Sequence, residues 1–78
     1  METYKFKVLW SERNNMFVMF DMSPLTDEVI WGFSMMPQLF GEETTIELLS
    51  NYLGKNAIFP EGTTMRTVEI KFIENESE

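Results

Sequence analysis

The chain has 78 residues and a formal net charge of −7, with 13 acidic residues, six basic residues and no His or Cys. This length fits a single domain, and the missing Cys and His exclude disulfides, thiol nucleophiles, imidazole bases and imidazole metal ligands. The six scattered basic residues argue against binding to nucleic acids or anionic membranes, because both need clustered positive charge.

The first 22 residues predict a β-hairpin. Residues 3–10 alternate between apolar and polar side chains, which indicates a half-buried strand. A polar stretch at 11–15 is rich in turn formers and leads to residues 16–22, which are apolar on both faces and predict a central strand. The face that the first strand is expected to bury carries Tyr4, Phe6, Val8 and Trp10.

Residues 23–36 fit two structures. Ser23 and Pro24 are residue types that favour a helix start, so a helix over 24–36 is one interpretation. We favour a turn followed by a strand at 29–35, because adjacent β-branched and aromatic residues suit a sheet. In addition, Gly32 would cost a helix interior about 1 kcal/mol relative to Ala.

The last third of the chain predicts one helix and one strand. Thr44 and Glu47 have the spacing of a capping box, and Gly54 is typical of a helix end. The strand at 64–73 is predicted to point Val68, Ile70 and Phe72 inward. The buried stripe of the helix is expected to contain Ile46, Leu49 and Leu53, flanked by Leu48 and Tyr52.

The element order β-β-β-α-β predicts an α+β fold, a two-layer sandwich with one helix packed on a mainly antiparallel sheet. The alternative, β-β-α-α-β, applies if residues 24–36 are helical. The domain is predicted to span 1–73, with a flexible acidic tail at 74–78. One helix covers only part of such a sheet, so we expect an apolar surface that loops, a second copy or another protein covers.

Acidic residues are concentrated in the middle of the chain, where residues 21–61 hold seven acids and one Lys. The adjacent pairs Asp27-Glu28 and Glu42-Glu43 are sequence neighbours, which rarely converge on one metal ion or one substrate bond. The sequence therefore predicts no enzyme and no cofactor. Without a signal or an apolar run long enough to span a membrane, the expected location is the cytoplasm.

These features favour a small acidic protein-binding module. One hypothesis is a phage or mobile-element inhibitor that blocks a host or defence protein with a basic surface, partly through DNA-like acidic charge. The alternative is a homo-oligomer, such as a homodimer, with a structural role or a small-ligand pocket lined by Trp31, Phe33 and Met35. The candidate interface residues are Phe17, Met19, Asp27, Glu28, Trp31, Met35, Glu42, Glu43 and Glu47.

Overall fold

The structure is a computed structural model that describes residues 2–54 and 58–73. Four antiparallel strands form one sheet in the order β3-β2-β1-β4, with one helix beside it. This arrangement confirms the predicted order β-β-β-α-β, and the alternative with a helix over 24–36 is wrong. The predicted tail at 74–78 lies outside the described residues. The elements are β1 (Thr3–Ser11), β2 (Met16–Met22), β3 (Val29–Ser34), α1 (Ile46–Leu53) and β4 (Thr63–Lys71).

Local side-chain chemistry fixes the turn of the β1–β2 hairpin. The hydroxyl of Ser11 is buried and accepts hydrogen bonds from the backbone amide of Asn14 at 3.0 Å and from its side-chain amide at 3.1 Å. Asn15 adopts a φ of 53°, in the left-handed region that Asn tolerates better than most residues. The polar stretch that predicted a turn therefore satisfies its own backbone groups.

Strands β1 and β2 separate a short distance from this turn. They pair over only three positions, from Leu9 with Val18 to Ser11 with Met16. Beyond Leu9, the amide and carbonyl of Phe40 bond to the carbonyl and amide of Lys7, each at 2.9 Å. The side-chain carbonyl of Gln38 accepts a 2.9 Å hydrogen bond from the amide of Phe20. Residues 38–40 thus fill the gap between the two strands and hold them together.

The helix covers the end of the sheet near the β1–β2 turn. Leu9 and Val18 are fully buried there, and Leu49 of α1 packs on them with 7% of its surface exposed. Leu53 is equally buried, whereas Leu48 and Tyr52 are exposed, as expected for residues that flank the buried stripe. The partly buried residues around this cluster are Phe20, Trp31, Phe40, Ile46, Phe59 and Met65.

The helix begins one residue later than the capping box predicted. Thr45, not Thr44, is the N-cap, and its hydroxyl accepts a hydrogen bond from the amide of Leu48 at 3.1 Å. Thr44 and Thr45 are the same residue type, so residue type does not distinguish them. The position at which the backbone turns into the helix decides which one is the N-cap. The helix ends at Gly54 as predicted, with a φ of 93°.

Replacing the N-cap should separate the two Thr residues. We expect Thr45→Ala to lower the free energy of unfolding by about 1 kcal/mol, because the amide of Leu48 loses its acceptor. Thr44→Ala is the matched control and should leave stability unchanged within about 0.5 kcal/mol. Urea denaturation followed by tryptophan fluorescence measures both, and a larger loss in the Thr44 variant would contradict the assignment.

Strand alternation places the apolar side of β4 away from the helix. Ile70 pairs with Tyr4, and Val68 pairs with Phe6. Tyr4 and Phe6 are each an odd number of positions from Leu9, so all four side chains lie on the side of the sheet opposite Leu9. Val68 and Ile70 therefore do not point into the core under the helix, contrary to the prediction. Phe72 lies just beyond the end of β4, is 63% exposed and packs its ring 5.2 Å from that of Tyr4.

Candidate functional site

The side of the sheet opposite α1 is rich in apolar side chains, and we call this side the open face. All four strands contribute to it, because paired residues share a side of the sheet. Within the described residues the single helix lies on the other side. The open face consists of Tyr4, Phe6, Val8 and Trp10 of β1, Phe17 and Met19 of β2, Ile30 of β3, and Val68 and Ile70 of β4.

The centre of the open face is packed, and its margins are exposed. Val8 is 1% exposed, and the ring of Trp10 packs edge-on against Phe17 with centroids 5.1 Å apart. In contrast, Tyr4, Met19 and Ile30 expose 39%, 40% and 58% of their surfaces. The centre can therefore keep its shape without a covering element, while the margins offer apolar area to a partner.

The open face carries little net charge. Arg66 places its guanidinium 5.9 Å from the ring centre of Trp10 and forms an ion pair with Glu12. Asp21 is exposed at the far end of β2, opposite Ile30 in the sheet register. Aromatic residues, Met and Arg are the side chains enriched at the centres of protein–protein interfaces. The composition of the open face is therefore typical of a binding surface.

The structure brings Phe17 and Met19 together on the open face but places Trp31 on the opposite side of the sheet. Trp31 pairs with Phe20 and packs its ring 5.7 Å from that of Phe20 and 4.9 Å from that of Phe59. It is half-buried against the cluster under the helix. Met35 follows β3 and is 77% exposed. The apolar residues predicted as one interface thus belong to separate surfaces.

The predicted acidic residues form two groups at separate places in the fold. Asp27 and Glu28 lie in the β2–β3 turn, where Asp27 adopts a φ of 57°. Glu42 and Glu43 line a shallow depression beside Leu48 at the start of α1, and Glu47 lies in the first helical turn. All five are exposed. Their charge can act at long range, but they do not surround the predicted apolar set.

Several residues of the open face were absent from the predicted interface, namely Tyr4, Phe6, Val8, Trp10, Ile30, Val68 and Ile70. Their signal was present in the strict alternation of β1 and β4, which was interpreted as the core side of both strands. The sequence did not reveal that the helix packs on the other side.

The described parts of the chain contain no group of three acidic side chains that could hold a metal ion. The hydroxyl of Tyr4 donates a hydrogen bond to the carboxylate of Glu2, which raises the pKa of Tyr4 above its ordinary value. No helix among the described residues is long and apolar enough to cross a membrane.

Comparisons of this chain with protein-family models, with curated proteins and with solved structures found no significant match. The open face, by its geometry and chemistry, is therefore the feature of the molecule that indicates a function.

Proposed function

We propose that this chain is a non-catalytic protein-binding module that binds another protein through the open face. The observation that carries the proposal is a set of partly exposed apolar side chains, Tyr4, Met19 and Ile30, on the same side of the sheet as the packed pair Trp10 and Phe17. Burying these side chains against a partner is favourable by roughly 25 cal/mol for each Å² of apolar surface removed from water. Large apolar patches on small domains mark interaction sites.

The acidic groups supply the second part of the proposal, a preference for a partner with a basic surface. The net charge of −7 is carried mainly by the β2–β3 turn, the start of the helix and the segments beside them, not by the open face. Charges outside a contact surface accelerate encounter with an oppositely charged partner. An inhibitor of phage or mobile-element origin that blocks a host or defence protein is one biological form of this activity.

Extended imitation of DNA is a minor part of the proposal. Duplex DNA carries one charge per roughly 1.7 Å of its axis, in continuous rows. Here Asp27 and Glu28 lie in one turn, whereas Glu42, Glu43 and Glu47 lie near the start of the helix. Two separate clusters do not form such a row. Apolar contact by the open face is therefore the main source of affinity.

The two tyrosines of the chain provide a matched test of this proposal. Tyr4 lies on the open face and is 39% exposed, whereas Tyr52 lies on the helix and is 73% exposed. We expect Tyr4→Ala to reduce recovery of the partner about tenfold in affinity purification from the native host, because interface aromatics contribute strongly to binding. Tyr52→Ala should recover as much partner as the wild type, and equal recovery by both variants would overturn the proposal.

Reversing the acidic charges at the start of the helix should change the rate of association. We expect the triple variant Glu42→Lys, Glu43→Lys, Glu47→Lys to associate with the purified partner about tenfold more slowly at low salt. Its dissociation rate should change little. Surface plasmon resonance at two salt concentrations measures both rates. An unchanged association rate, or an effect confined to dissociation, would contradict electrostatic steering.

A further inference from the structure

β3 is an edge strand without the charges that commonly protect sheet edges. The chain carries no charged residue from position 29 to position 41, a range that includes the whole of β3. The other edge strand, β4, carries Arg66, Glu69 and Lys71. Charged side chains on an edge oppose pairing with another chain. The two edges of the sheet therefore differ in their capacity to add a strand.

No described strand pairs with the side of β3 that faces away from β2, and the backbone groups on that side can be assigned from the neighbouring pairs. The amide of Ser23 donates to the carbonyl of Glu28 at 2.8 Å, which makes these two residues a hydrogen-bonded pair. Bonded and non-bonded pairs alternate along an antiparallel ladder. The amide of Phe20 accordingly turns away from β3, toward Gln38. By the same alternation, the backbone groups that point away from β2 belong to Val29, Trp31 and Phe33.

We propose that two copies of this chain form a homodimer by antiparallel pairing of their β3 strands around a two-fold axis at Trp31. In this register Val29 of one copy lies opposite Phe33 of the other, and Trp31 lies opposite its own copy. Each outward-facing amide then meets an outward-facing carbonyl. Each copy carries a net charge of −7, yet the paired strands are uncharged, so the contact places no like charges together.

The side chains along this edge also suit pairing with a second copy. Phe33 is 44% exposed and Ile30 is 58% exposed in the single chain. In the dimer, Phe33 of one copy contacts Val29 of the other, and Ile30 packs over Gly32 of the other copy, which itself carries no side chain. A two-fold axis perpendicular to the sheet places both open faces on one side of an eight-stranded sheet. The inference goes beyond the proposed function, since the dimer forms whether or not the open face binds another protein.

Lys substitutions on the two edges test the pairing by sedimentation equilibrium. The wild type is expected to be a dimer at micromolar concentration, and Phe33→Lys is expected to weaken dimerisation about tenfold or more. Thr67→Lys is the matched control, because Thr67 is exposed and lies on the charged edge strand β4. It should dimerise as the wild type does. A monomeric wild type, or a dimer that survives in the Phe33 variant, would overturn the proposal.

Disulfide trapping tests the register without removing an aromatic side chain. The chain has no Cys, so Ile30→Cys and Gly32→Cys each introduce a single thiol. A Cβ at Gly32 meets Met19 at 3.6 Å, an ordinary contact, so the substitution fits. In the proposed dimer these two positions face each other across a non-bonded pair with Cα atoms about 4.5 Å apart, within disulfide range.

An oxidised mixture of the two Cys variants should therefore give a disulfide-linked dimer, whereas either variant alone should not. In this register, Ile30 of one copy and Ile30 of the other are two positions apart along the strands, an offset of about 6.6 Å, and the same holds for Gly32. Combined with the spacing between the strands, this offset puts the two Cα atoms beyond the roughly 7 Å limit for a disulfide. Equal cross-linking in the single variants, or none in the mixture, would overturn this register. Tyr4→Ala should leave the dimer intact, so failure of partner binding is distinguishable from failure of dimerisation.

Discussion

Leu9→Ala is expected to lower the free energy of unfolding by about 2–5 kcal/mol, the usual cost of removing a buried Leu side chain. Leu9 is completely buried and lies in one cluster with Val18 of the sheet and Leu49 of the helix. A domain of this size has a total stability of roughly 4–12 kcal/mol. The substitution should therefore leave much of the protein unfolded at moderate urea concentration, as measured by tryptophan fluorescence.

Leu25→Ala is the control for this prediction. It removes the same side-chain atoms as Leu9→Ala, but Leu25 lies between β2 and β3 and is 92% exposed. Its cost should be below about 1 kcal/mol, because most of the removed surface was already in water. If the two variants lost equal stability, the core would not lie between the sheet and the helix as the structure places it.

Met19→Asp is expected to weaken partner binding about thirtyfold or more. Met19 is 40% exposed on the open face, and a bound partner would bury a carboxylate placed there without a counter-charge. A loss of thirtyfold corresponds to about 2 kcal/mol, the size of a strong interface residue. Titration calorimetry with the partner recovered from the host measures the dissociation constant.

Leu48→Asp is the matched control, since Leu48 is an apolar residue of α1 that is 55% exposed. Both variants should retain the circular dichroism spectrum of the wild type, because each changes an exposed position. The Leu48 variant should bind the partner with wild-type affinity. A loss that was the same in both variants would indicate that added negative charge, not the open face, controls binding.

The elements of the fold could be predicted from the sequence because their signals are local. Alternation marks β1 and β4, and the run of β-branched and aromatic residues around Gly32 correctly favoured β3 over a helix. The helix stop at Gly54 depends on the backbone freedom of that residue alone. Such features involve only a few neighbouring residues, which the sequence shows directly.

The long-range contacts could not be predicted in this way. Gln38 and Phe40 lie in the segment between β3 and α1, yet they bond to Phe20 and Lys7 across the gap between two strands. Nothing in the residue types of the segment specifies which strands it joins. The choice between Thr44 and Thr45 as the cap was likewise decided by the position of the turn.

The candidate surface could be predicted only in part. Phe17 and Met19 lie on the open face, whereas Trp31 packs beneath the helix and the acidic residues lie in the β2–β3 turn and near the start of α1. Both sides of β2 are apolar, so its sequence does not show which side the helix covers. Once Leu9 and Val18 are known to meet Leu49, alternation assigns every other strand residue to a side.

The most direct test of the open face as the binding surface is chemical nitration of the two tyrosines with and without bound partner, followed by mass spectrometry. At each tyrosine, the nitration rate with partner is divided by the rate without partner. This ratio cancels the intrinsic difference in reactivity between Tyr52 and Tyr4, whose hydroxyl is bonded to Glu2. We predict that the partner slows nitration of Tyr4 and leaves Tyr52 unchanged. Protection of Tyr52 alone, or no protection of Tyr4, would contradict the proposed function.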